Sequence, residues 1–214
     1  MKKIMFNDKY GLTDAVLKGR KTMTRRIIPI DICNATDWKA FNEGDMKCYG
    51  TGDGDWVDIR RCASYKIGEI VAVAQNYQDA IDNFNGNNDI AGWGKLIANT
   101  QNGSVGYYNK MFTRADLMPH HIRITDIKLE RLQDISNEDV YKEGFTHEFV
   151  NNNWGNSAYH EETMLVYYDN KGLTKQIRSR EPKEAFSFLI DKVSGNGTWE
   201  RNPWVFVYTF ELID

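Results

Sequence analysis

His121 to Leu132, HIRITDIKLERL, is the longest strand-like stretch of the chain, and its phase decides the fold. Ile122 and Ile124 alternate with Arg123 and Thr125, the period of a strand with one buried face. After Asp126 the apolar side moves by one residue, to Ile127 and Leu129. A one-residue slip inside a strand marks a β-bulge, and bulges suit the corners of small barrels. Val205–Leu212 alternates without a slip. Phe206, Tyr208, Phe210 and Leu212 face one way; Val205, Val207, Thr209 and Glu211 face the other. Glu69–Gln75 reads as a buried strand and residues 3–6 as a short one, with further strands expected near Trp56–Arg61 and Met164–Tyr168.

Three short helices are expected between these strands. Asn7 and Asp8 offer N-caps ahead of Leu12, Ala15 and Val16 at helical spacing, and Gly19 is placed to stop that helix in the left-handed conformation. Ser136 to Asp139 has capping-box spacing and starts a helix that Gly144 should end. Pro182 opens an amphipathic helix with Ala185, Phe186, Leu189, Ile190 and Val193 on one face, closed by Ser194 and Gly195. About six strands and three helices, not in βαβ order, predict one α+β domain over residues 1–214, built on a small mixed β-barrel. Residues 31–60, 82–110 and 146–180 break the pattern and are expected as insertions. The second, rich in Asn and Gly, reads as a long surface loop.

A hydrophobic fraction of 41% and a charged fraction of 27% over 214 residues are those of an ordinary globular protein. No apolar run approaches the ~18–20 residues that span a bilayer, and the first residues lack a secretory apolar stretch, so a cytoplasmic protein is expected. Cys33, Cys48 and Cys62 form no Cys-x-x-Cys pair and read as free thiols, not as zinc ligands. No P-loop, dinucleotide fingerprint or serine nucleophile elbow is present, and neither cofactor nor metal is expected. The net charge of −3 gives no global attraction for a polyanion. Between Lys18 and Arg26, however, five of nine residues are basic and none is acidic, which predicts a small anion-facing patch.

Gly19-Arg20-Lys21-Thr22-Met23-Thr24-Arg25-Arg26 resembles the Gly-x-Lys-x-x-Thr-x-Arg signature of ASCH domains, in the PUA-like group. Three further stretches resemble the same family, particularly its longer phage-associated bacterial members. They are Tyr65 to Ile70, Met118-Pro119 through Gly144, and Trp199 to Trp204 before the closing strand. Together they span about half the chain, in the family's order; the three insertions have no counterpart. The resemblance implies a PUA-like barrel with a cleft between barrel and helices, and RNA or a nucleobase as its ligand. One branch of the family hydrolyses N4-acetylcytidine. Carried over by position, the resemblance implies Lys21 as base, Thr24 as nucleophile and Glu143 as proton donor, with Arg26 matching the final arginine.

Amide hydrolysis needs those parts: an activated hydroxyl, an acceptor for its proton, an oxyanion partner and an acid for the leaving amine. Lys21 acts as base only when neutral, and burial beside Arg20, Arg25 and Arg26 lowers its pKa. Glu143 falls in a last helical turn, where the helix dipole disfavours its charge. Lys21 and Thr24 have opposite parity in a regular strand, so they meet only if Lys21 belongs to the turn after Gly19 or a bulge intervenes. Arg25, Arg26, Arg123 and Tyr77 are the expected ligand-binding residues; Arg114 is a lesser candidate for phosphate, and Trp93, Trp154 and Trp204 for stacking on bases. His120, His121, His147 and His160 have no triad or metal set around them. Three functions follow as expectations: binding of RNA or a modified nucleobase without chemistry, an amidohydrolase on an acylated nucleoside, or a protein-interaction domain whose insertions carry the function.

Overall fold

The computed structural model describes residues 1–28, 36–42, 47–50, 56–82, 90–100, 104–151, 159–168 and 174–213, with side chains left aside in residues 36–60 and at a few other positions. The chain is α+β, as expected. Its main sheet has five strands: β1 (Lys3–Ile4), β2 (Met23–Ile27), β6 (Ile70–Val73), β7 (His121–Arg131) and β11 (Trp204–Leu212). They are ordered β1-β6-β7-β11-β2, with β1 parallel to β6 and every other pair antiparallel. Among the described residues this sheet is open, so the pairing does not close a barrel. Its two edges nonetheless approach, because Arg26 on β2 donates to the Met5 carbonyl just beyond β1.

The slip read in HIRITDIKLERL is a bulge in β7. Thr209 of β11 faces Asp126 while the next residue, Phe210, faces Ile124, which leaves Thr125 as the extra residue. The alternation of β11 is also real, but Val205 to Tyr208 are all buried, since this central strand is covered on both faces.

Six α-helices lie among the described residues, twice the number expected. α1 (Leu12–Leu17) is followed by Gly19 at φ +69°, and the Lys21 N–H donates to the Ala15 carbonyl at 2.9 Å across that turn. α3 (Ile90–Asn99) lies in the segment read as loop, and α2 (Tyr77–Asp82) just before it, where no helix was expected. Gly92 and Gly94 do not break α3, because Leu96 anchors it in a second small core with Ala72, Tyr77, Ala80, Leu117 and Met118. α4 (Asn137–Lys142) starts at Ser136, whose hydroxyl accepts the Asp139 N–H at 3.1 Å, and ends in Glu143 and Gly144 at φ +107°. α5 (Pro182–Ser194) and the one-turn α6 (Thr198–Arg201) precede β11.

The other two insertions are sheets: strands were expected only near Trp56–Arg61 and Met164–Tyr168, where β5 and β9 lie, and the remainder was expected to be irregular. β3 (Thr36–Asn42), β4 (Lys47–Gly50) and β5 (Trp56–Asp58) form an antiparallel set of three, as do β8 (Thr146–Asn151), β9 (Tyr159–Tyr168) and β10 (Thr174–Ser179). The second set joins the main core through Leu165 and Ile177. No helix among the described residues is long and apolar enough to cross a membrane.

Candidate active site in the cleft at the β2 edge

Two backbone features build the site. Gly19 turns the chain so that Lys21 lies in the connection before β2, not in the strand, and the parity obstacle between Lys21 and Thr24 disappears. Thr22 then donates its N–H to the Lys142 carbonyl at 2.9 Å, which sets the end of α4 beside the turn. A side chain at residue 144 would press on this join: a Cβ there would lie 3.4 Å from the Ala15 Cβ and 3.5 Å from the Lys21 Cβ.

Lys21 and Glu143 meet as a consequence. Both are buried, with 2% and 4% of their surface exposed. The Lys21 ammonium donates to the Glu143 carboxylate through Oε2 and to the Glu143 carbonyl at 3.1 Å. The other carboxylate oxygen, Oε1, accepts from Arg25 Nη1 at 3.0 Å. Arg25 also donates to Glu130 at 2.9 Å and to Asp139 at 3.2 Å, so one buried guanidinium is held by three carboxylates. Burial lowers the Lys21 pKa, and Arg26 and Arg25 push it the same way; Glu143 opposes them. The Asp139 pKa is also lowered: burial pushes it up, but hydrogen bonds and charge from Lys142 and Arg25 prevail.

These groups floor a cleft of about 680 Å³. Consecutive residues Thr24, Arg25, Arg26 and Ile27 line it, as an edge strand allows. The apolar lining of the cleft comes from α5, with Phe186, Leu189, Ile190 and Val193, and from Phe6, Tyr108 and Met111. The Thr24 hydroxyl makes no hydrogen bond among the described residues. The buried Arg26 Nε likewise has no acceptor there, although its guanidinium lies 5.8 Å from the Phe6 ring and reaches the Met5 carbonyl. The site thus holds a hydroxyl and a buried N–H donor without partners among the described residues, beside an amine coupled to a carboxylate.

Of the residues singled out from sequence, Lys21, Thr24, Arg25, Arg26 and Glu143 share this cleft. Arg123 and Tyr77 are not among its lining residues. Arg123 is exposed on β7 and pairs with Glu211 at 3.0 Å. Tyr77 is buried in the second core, where its hydroxyl accepts the Arg114 N–H at 3.1 Å. Arg114 itself pairs with Asp116 at the surface, and Trp204 packs under Arg131 at 4.4 Å. His147 stacks on Tyr141, with ring centroids 3.7 Å apart. Cys62 is a free, exposed thiol. Cys33, Trp154 and the side chains of Cys48, Trp93 and His160 lie outside what is described. Among the described residues no group of three or more His, Cys, Asp or Glu side chains is placed to hold a metal ion. The Tyr108–Met111 wall was not singled out from sequence; it lies in a segment whose Asn and Gly content reads as loop.

No protein-family model, curated protein or solved structure matches the chain.

Proposed function

We propose that the chain is an ASCH-type domain of the PUA-like group, whose curled sheet and flanking helices hold a modified nucleobase and hydrolyse its exocyclic amide. N4-acetylcytidine is the substrate of choice for the test. The observation that carries this reading is the convergence of Lys21 and Thr24 with Glu143, 122 residues away from Lys21, on one cleft with an unengaged hydroxyl.

The chemistry follows from the contacts. Thr24 Oγ1 attacks the acyl carbon and passes its proton to neutral Lys21, while Arg26 donates to the oxyanion. Glu143 protonates the departing exocyclic amine, and water then cleaves the acyl-threonine ester, releasing acetate. Lys21 donates directly to the Glu143 carboxylate, so one proton lies between the two groups. Its passage from Nζ to Oε2 creates the neutral amine and the carboxylic acid together, which is the pair this reaction needs.

A second reading, recognition of an RNA segment or modified base without chemistry, is favoured by one contact. Lys21 donates to Glu143 twice, and not to the Thr24 hydroxyl. Incubation with N4-acetylcytidine, with cytidine release followed by chromatography, separates the two. Turnover that disappears in both Lys21→Ala and Thr24→Ala supports the hydrolase. A folded protein that binds the nucleoside and releases no cytidine supports the reader.

A further inference from the structure

Residues 104–113 present an inverted polarity. A loop held firmly to a protein normally turns its apolar side chains inward and its polar ones outward. Here the polar groups do the holding. Lys3 Nζ donates to three carbonyls of the segment, those of Lys110 at 3.0 Å, Met111 at 2.8 Å and Thr113 at 2.6 Å. Lys110 reaches back to the Phe6 carbonyl and to Asp8 at 2.7 Å, and Asn109 caps the Met111 N–H at 3.0 Å. Partial burial lowers the Lys3 pKa. The preceding turn is seated as firmly. Gly106 lies so near the Tyr77 ring that a Cβ would come within 2.5 Å of it, and Tyr107 packs edge-on against Tyr108 at 4.8 Å.

Yet Tyr108 and Met111 remain 70% and 64% exposed, and both line the cleft that holds Lys21 and Thr24. Their exposure is a fixed presentation, since the backbone beneath them is tied at both ends of the segment. The apolar side chains of α5 line the same cleft, together with the hydroxyl, guanidinium and carboxylate groups of the site. Aromatic and apolar lining beside polar groups suits a flat heterocycle with apolar faces and a hydrogen-bonding edge. An aliphatic ligand has no use for the polar groups.

We infer that Tyr108, assisted by Met111, is the stacking platform for the ligand's base, and so determines which acylated or modified ring enters the cleft. This rests on the nucleobase reading above and assigns its recognition to a segment outside the ASCH-like stretches. The base lies with one face on Tyr108 and its edge toward Thr24 and Arg26.

Tyr108→Ala and Tyr108→Phe test it, with circular dichroism to verify folding; residue 108 is exposed, so neither change disturbs the core. Dissociation constants for cytidine and N4-acetylcytidine are measured by calorimetry, and KM and kcat wherever turnover occurs. A base stacked on an aromatic ring predicts affinity about 5- to 150-fold weaker in Tyr108→Ala, near wild type in Tyr108→Phe, with the loss falling on KM. Met111→Ala gives a smaller loss in the same direction. Unchanged affinity in Tyr108→Ala, alongside binding or turnover that depends on Thr24, overturns the platform and leaves the nucleobase reading standing. Absence of binding to any nucleoside by the folded wild type overturns both.

Discussion

Removing the Glu143 carboxylate probes the centre of the site. In Glu143→Ala the Lys21 ammonium, 2% exposed, loses the carboxylate it touches and still faces Arg25 and Arg26. Breaking a buried ion pair from one side destabilises a protein by about 3–5 kcal/mol. Lys21 has an escape, because it can shed its proton. For a lysine of ordinary pKa, about 10.4, that requires about 4.6 kcal/mol at pH 7 and about 1.9 kcal/mol at pH 9. Arg25 keeps Glu130 and Asp139, so its share of the loss is about one hydrogen bond. The expected destabilisation is therefore about 3–4 kcal/mol at pH 7, shrinking toward about 2 kcal/mol at pH 9. Urea denaturation followed by circular dichroism at both pH values measures it. A loss below about 1 kcal/mol that does not change with pH is what an exposed ion pair gives. That result would refute the buried Lys21–Glu143 pair and the proton-sharing mechanism with it.

Other outcomes follow from the same contacts. In the wild type, the lowered Lys21 pKa means that the unfolded chain holds a proton the folded one lacks between that value and 10.5. Stability from this group therefore rises with pH across that window, and Lys21→Met should flatten the rise in the same denaturation experiment. Because the reaction needs the one proton that the Lys21–Glu143 pair holds, kcat/KM falls as pH rises through the same lowered pKa, so the loss of activity sets in below 10.5. Arg25→Met leaves Glu130, Asp139 and Glu143 crowded without their shared cation; it should destabilise by about 3–5 kcal/mol at pH 7, with part of the loss recovered toward pH 4 as the carboxylates take up protons. Gly144→Ala places a side chain at φ +107° against Ala15 and Lys21, and a loss of about 1–3 kcal/mol is expected, with a parallel fall in any Thr24-dependent turnover.

What was legible in the sequence was legible because its cause is local. The bulge at Thr125 shows as a phase slip within one strand, and the stops at Gly19 and Gly144 show as glycines where a helix must turn left-handed. The amphipathic stripe of α5 is likewise contained in thirteen residues. Apart from the strands expected near Trp56 and Met164, the three-stranded insertions were illegible for the converse reason. β8 leaves His147, Glu148 and Phe149 exposed, and only Met164, Leu165 and Ile177 of its partner strands bury an apolar group well, so no period of two survives. In α3 the glycines outweighed the signal of Leu96, whose partners in the second core lie far along the chain.

The site divides along the same line. Lys21, Thr24, Arg25 and Arg26 fall within six residues and can be read as a motif, whereas Glu143 is 122 residues from Lys21. Nothing in its own neighbourhood distinguishes it from a solvated glutamate beside Lys142. What sets it apart is the backbone bond from Thr22 to Lys142, together with a glycine at 144 small enough to let the turn close over Lys21. The wall at Tyr108 and Met111 depends on contacts just as distant, the Lys3 ammonium lying 107 to 110 residues from the carbonyls it holds. The sequence motif thus supplies reactive groups without saying what they face. On the proposed reading the ligand is chosen by α5 and by the segment that two lysines fasten, and a change there should alter which base is held while the Lys21–Glu143 pair stays intact.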